Sequence, residues 1–150
     1  LVFGEIEGVS HETGCVDTGD YACEVGGLSV PIRVERKSIA DLFTSFVGDN
    51  YENEREKIQR AGEKGYKYII AIEGDAFSGR RGHQYTKDGE VHESKKSGIS
   101  QVRQLMTIAH KYGVEIWFCS TRKEMAFRIA EYFLAYKRLL DKGEVKLGGS

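Results

Sequence analysis

An α/β layered domain, with a mixed central sheet flanked by helices, is the fold class this sequence predicts. Three observations carry that expectation. Tyr66 to Ile72 is an apolar, β-rich run bounded by glycines, the pattern of a strand covered on both faces. Ser38/Asp41, Asp49/Glu52 and Thr121/Glu124 repeat one helix-opening spacing, in which a short polar side chain caps the helix and an acid follows three residues later. Strand and helix patterns then alternate along the chain, with no internal repeat and no low-complexity block.

Residues 1–18 hold no sustained period, because Val2-Phe3 is followed by Gly4, Gly8 and Gly14 among scattered acids; the segment reads as loop with at most a short strand. From Asp20 to Val25 the β-formers return. Gly26-Gly27 supplies turn residues able to take positive φ, and Val30 to Arg36 reads as the return strand of a hairpin. Pro31 has no N–H to donate, which places it at the strand start or on an unpaired edge. Ser38 opens a helix carrying Ile39, Leu42, Phe43 and Phe46, and Gly48 ends it.

A second helix follows from Asp49 past Tyr51, Arg55, Ile58 and Gly62 to a stop at Gly65; its charge density makes it read as half exposed. The strand Tyr66 to Ile72 delivers Glu73-Gly74-Asp75 to its C-terminal end, where open α/β sheets place chemistry. Gln84 to His92 reads as a small projecting hairpin turning at Asp88-Gly89. Ile99, Val102, Leu105, Met106 and Ala109 predict a helix over 98–112 closed by Gly113. Val114 to Cys119 is the next strand, and Met125, Ile129, Phe133 and Leu140 stripe a long last helix.

At 150 residues the chain fits a single core, read here as one domain over 1–147 with a linker-like tail at 148–150. A net charge of -1 gives no global pull toward nucleic acid, so any polyanion site must be a local patch. Three widely spaced cysteines suggest neither a disulfide framework nor a metal-ligand pair. With no leader-like segment and no membrane-length apolar run, the expectation is an unsecreted protein without a membrane partner. Leu1 in the place of an initiator Met and the Gly-Gly-Ser tail read as a fragment of a longer chain.

The candidate chemistry sits between Gly19 and Asp41. Arg33, Glu35 and Lys37 share one face of their strand while Ile32, Val34 and Arg36 take the other, and Asp20 begins the partner strand across the hairpin. Asp20 and Glu35 are thus two hard oxygen ligands for Mg²⁺, with Mn²⁺ as the substitute; water and a phosphate would fill the remaining positions. Lys37 would orient the water or phosphate, and Arg36 would bind a phosphate or hold the helix that follows. Taken singly, Asp20 is a turn aspartate and Glu35-Arg36-Lys37 a solvated strand end, and the cap position of Asp41 explains that residue without catalysis. Arg80 and Arg81 join Arg36 as candidate DNA contacts, although Asp75, Asp88, Glu90 and Glu93 interleave with them and favour a solvated face.

Asp20, fourteen intervening residues and then Glu35-Arg36-Lys37 match the spacing of the PD-(D/E)XK nucleases. Gly19-Asp20-Tyr21 followed by Val34-Glu35-Arg36-Lys37-Ser38-Ile39-Ala40-Asp41-Leu42 resembles the G-D-x(n)-E-R-K-x(3)-D signature of the XPF-type structure-specific endonucleases. The looser likeness extends from about Gly19 to about Leu134. It implies a restriction-endonuclease-like fold and Mg²⁺-dependent hydrolysis of phosphodiester bonds in branched, flap or fork DNA. Asp20 and Glu35 would hold the metal, Lys37 would assist catalysis, Arg36 and Asp41 would organise the site, and Glu73 would be an extra carboxylate or one behind the ligands. A homodimer or heterodimer is also implied, working in the cytoplasm if bacterial or phage and in the nucleus if eukaryotic. The family's opening strand ends in D-x-R-E, which no string here matches; that strand is therefore cut off, or absent with the site short of a flanking acid. An inactive DNA-binding or dimerisation module of the same fold, and a restriction-type or phage nuclease acting on duplex DNA, are the competing readings.

Overall fold

The structure is a computed structural model that describes residues 1, 3, 6–45, 49–74, 84–93 and 98–147. Its elements in chain order are β1 (Glu24–Val25), β2 (Leu28–Ser29), β3 (Ile32–Ser38), α1 (Ile39–Ser45), α2 (Asp49–Glu63), β4 (Lys67–Glu73), β5 (Gln84–Lys87), β6 (Glu90–Glu93), α3 (Gly98–Tyr112), β7 (Glu115–Cys119) and α4 (Arg122–Asp141). The central sheet is three parallel strands in the order β3-β4-β7. Such strands need helical crossovers, and α1–α2 and α3 supply them.

Both faces of this sheet are covered. On one, Ile32, Val34, Ile69, Ala71, Trp117 and Cys119 pack against Met125, Ala126, Ile129, Ala130 and Phe133 of α4, with Phe3 joining them. On the other, Tyr68, Ile70 and Ile72 meet Leu42 of α1, Ile58 and Ala61 of α2, and Leu105 and Ile108 of α3. The β4 run is fully apolar because it lies between these two layers. In α3 the stripe is rotated slightly from expectation: Ile108 is buried, while Met106 stays exposed.

The expected return strand Val30–Arg36 is found two residues on, as Ile32–Ser38, but its hairpin pairing is divided: Leu28–Ser29 pairs with Glu24–Val25, and from Ile32 the chain runs parallel to β4. Pro31 sits at the break, where it has no N–H for a ladder. The antiparallel pairing survives as a single bridge from Tyr21 to Val34, on the edge of β3 that β4 leaves open. That bridge makes the sheet mixed at its margin.

Local chemistry behaves as the caps predict. Asp41 N–H donates to Ser38 Oγ at 3.0 Å, and Glu124 N–H donates to Thr121 Oγ1 at 3.0 Å. The Glu124 carboxylate does not close the reciprocal half of its box. It accepts instead from Ser120 N and Oγ at 2.7 and 2.6 Å. Glu52 likewise turns to Arg55, at 2.6 Å. The β5–β6 hairpin turns at Asp88 and Gly89, whose φ values of 55° and 78° suit an Asp-Gly turn. Gly48, Asp75, Arg80 and Arg81 lie outside the described residues. No described helix is long and apolar enough to cross a membrane.

Candidate active site

The site begins from an imbalance on β3. Its neighbour β4 places Ile70 opposite Glu35 and Ile72 opposite Lys37, and neither can pair a charge. Yet Arg33, Glu35 and Lys37 are all buried, on one face as strand alternation requires. Their partners must come from the open edge of β3 and from the helix above.

The open edge receives the loop 16–20. Gly19 takes a φ of 75°, and a Cβ placed on it would stand 2.9 Å from Val34 O, so close a strand approach excludes a side chain. This lets Asp20 and Tyr21 N–H both donate to Val34 O, at 2.8 and 3.0 Å. Asp20 Oδ2 then accepts from Arg36 N at 2.7 Å, fixing the carboxylate alongside the strand.

From above comes α2. Lys37 Nζ lies 2.9 Å from Glu54 Oε1 and 3.9 Å from Glu35 Oε1, while Lys57 Nζ lies 3.5 Å from each of the same two oxygens. Two carboxylates and two ammonium groups therefore close a ring. Burial, then the neighbouring charge of Asp20, push the Glu35 carboxyl above its usual range, outweighing both lysines. Burial opposes charge on Lys57, but Glu35 and Glu54 overcome it and raise that ammonium. Burial, then the charges of Glu35, Glu54 and Asp20, push the Tyr68 hydroxyl up, and Glu54 Oε2 is buried without a hydrogen-bond partner among the described residues.

These groups line a cavity of about 580 Å³ that takes in Asp20, Glu35, Arg36, Lys37, Asp41 and Glu54. A second cavity of about 280 Å³ shares Asp20, Glu35, Lys57 and Arg60 with it and continues to Lys64, between loop 16–20 and α2. Of the residues singled out from sequence, Asp20, Glu35, Arg36, Lys37 and Asp41 meet in the first cavity. Glu73 does not line it: its carboxylate takes the Arg36 guanidinium, 3.3 Å away. Arg80 and Arg81 fall outside the described residues.

Sequence reasoning missed Glu54 and Lys57, having read α2 as a half-exposed charged helix. The signal was present. Tyr51, Ile58 and Ala61 mark an inward stripe at helical spacing, and Glu54 stands within it, only 7% exposed.

A hard divalent cation suits the donor set. Asp20 and Glu35 offer two carboxylates whose mutual repulsion such an ion would relieve. Among the described residues no group of three His, Cys, Asp or Glu side chains forms a metal cluster, so water and substrate oxygens would complete the coordination.

The ERCC4 domain profile matches residues 5–131. XPF from Aeropyrum pernix shares the fold with a TM-score of 0.54 at 20% identity, the match covering 87% of this chain and 56% of that one. The chain thus spans about half the length of that structure. No curated protein sequence matches. With the profile spanning most of its length and the G-D-x(n)-E-R-K-x(3)-D residues gathered in one cavity, the chain belongs to the ERCC4 domain family and has the fold of an XPF-type nuclease domain.

Proposed function

We propose that this domain is a metal-dependent DNA endonuclease that hydrolyses phosphodiester bonds at branched, flap or fork structures. The observation behind the reading is the convergence of Asp20, Glu35 and Lys37 on one cavity at the open edge of β3. Asp20 and Glu35 would hold Mg²⁺, or Mn²⁺ in its place. Such an ion lowers the pKa of a bound water and neutralises charge growing on the phosphoryl oxygens. Lys37 aims an ammonium at the same space and orients water or phosphate. The Asp41 N–H donates to the Ser38 hydroxyl that caps α1, which ties the start of the helix to the end of β3. Arg36, Arg80 and Arg81 are assigned to the DNA backbone, and Arg60 and Lys64 extend the cationic wall beyond the carboxylates. Pairing with a second copy or a related subunit belongs to the same proposal, as does action wherever the cell keeps its DNA.

Cleavage of fork, flap and linear duplex substrates in Mg²⁺ and Mn²⁺, with chelator and Asp20→Ala controls, tests it. Metal-dependent cutting of the branched substrates that disappears in the variant is expected. Binding without cutting in either metal favours the second reading, a non-catalytic DNA-binding or dimerisation module of the same fold. Equal cutting of linear duplex would overturn the branched-substrate assignment.

A further inference from the structure

The ring of Glu35, Lys37, Glu54 and Lys57 is balanced only while Glu35 serves both lysines. A cation held by Asp20 and Glu35 draws the Glu35 carboxylate away from that duty. The two ammonium groups would then repel each other into the cavity unless a second carboxylate keeps them apart. Glu54 is placed for this. Its Oε1 is the closest contact Lys37 makes in the ring, at 2.9 Å, and it also touches Lys57. Its Oε2 is buried and without a hydrogen-bond partner among the described residues, so the carboxylate has acceptor capacity left. A buried carboxylate with one oxygen unsatisfied weakens a fold, and leucine would fill the stripe between Tyr51, Ile58 and Ala61 better. Its presence therefore calls for a role beyond packing.

We propose that Glu54 is the positioning residue of this site: it keeps the Lys37 ammonium aimed into the cavity, with Oε2 taking up Lys57, once Glu35 is engaged by the metal. The inference rests on the nuclease reading for its purpose, but the placement of Lys37 can be measured without catalysis. At 16.9 kDa the domain suits lysine-selective ¹³C labelling and relaxation of the ε-methylene groups. In the wild type, Lys37 should stay ordered with and without Mg²⁺. In Glu54→Ala that order should be lost when Mg²⁺ is added, and Glu54→Gln, which keeps an acceptor at the same reach, should restore part of it.

On a fork substrate, Glu54→Ala should lower kcat about tenfold with KM unchanged, the signature of a misplaced group that assists the reacting atoms. Fork binding and Mn²⁺ binding should match the wild type. Lys37 remaining ordered in Glu54→Ala overturns the proposal, and so does a loss of fork or Mn²⁺ affinity in step with kcat. A wild type that cuts nothing sinks the nuclease reading alone, and the ordering measurement still decides the role of Glu54. Circular dichroism shows whether Glu54→Ala folds; if it does not, Glu54→Gln is set against wild type, where a partial loss of Lys37 order on adding Mg²⁺ is expected and full order overturns the proposal.

Discussion

Arg33 and Lys37 stand on the same face of β3, both almost wholly buried, yet their surroundings are finished to different degrees. Arg33 is fully provided for: Nε meets Asp17 Oδ1 at 3.0 Å, Nη1 donates to Val30 O and Ile32 O at 2.8 and 3.0 Å, and Nη2 donates to Ser29 Oγ at 3.0 Å. Its guanidinium also lies 4.1 Å from the Tyr66 ring centre. Around Lys37, Glu54 Oε2 is buried without a hydrogen-bond partner among the described residues, a cavity of about 580 Å³ opens, and burial presses Glu35 toward its neutral form. A charge buried for scaffolding is satisfied by the chain itself. Beside Lys37 the chain instead leaves an open cavity and a spare carboxylate oxygen on Glu54, which the proposed chemistry would use.

The sharpest break of this contrast would come from the Lys37 end. Asp20→Ala or Glu35→Gln should lower DNA cleavage by about a thousandfold, the several kcal/mol that metal-borne charge stabilisation supplies, in single-turnover assays. Metal-free unfolding of Glu35→Gln should show no loss of stability. Because the folded Glu35 carboxyl is raised, the wild type should weaken relative to this variant as pH climbs through the glutamate range.

At the scaffold end, Arg33→Ala should lower stability by about 3 kcal/mol in urea titrations, since it removes the guanidinium that Asp17, Ser29 and the Val30 and Ile32 carbonyls share and leaves the Asp17 carboxylate without that partner. Gly19→Ala, straining a φ of 75° against Val34 O, should lower stability by about 2 kcal/mol and displace Asp20, so that cleavage falls too; it is the position where scaffold and site are one. The smallest effect is expected at Asp17. The Tyr66 hydroxyl and Arg33 hold its carboxyl far below the usual range, so its contribution is present above that range and fades as pH falls through it. Asp17→Asn should therefore flatten the acid arm of the stability curve and leave neutral-pH cleavage unchanged.

The elements themselves were legible because each announces a local rule. Gly65 and Gly113, both at positive φ, close α2 and α3, while Ser38 and Thr121 cap α1 and α4 through their hydroxyls. Asp20, Glu35 and Lys37 were legible through spacing and strand alternation. Pro31 was read as lying at the strand start or on an unpaired edge and stands directly before β3, but that β3 runs parallel to β4 depends on a strand 35 residues further along. Glu73 was read as an extra carboxylate or one behind the ligands; it holds the guanidinium of cavity-lining Arg36 and stays out of the cavity itself, a placement that its position at a strand end does not announce.

By itself the sequence determined the order of strands and helices and the caps that delimit them, which rest on neighbours a few positions apart, and the signature residues of the family, which rest on the spacing from Asp20 to Glu35. Only the tertiary structure decided that Glu54 and Lys57 complete the charge ring, and that Arg33 is held by Asp17, Ser29 and two carbonyl oxygens while Lys37 lines the cavity. The physical reason is burial. Whether a charged residue on an amphipathic helix meets water or another charge is set by what packs over it, and for α2 that is a strand some twenty residues earlier in the chain.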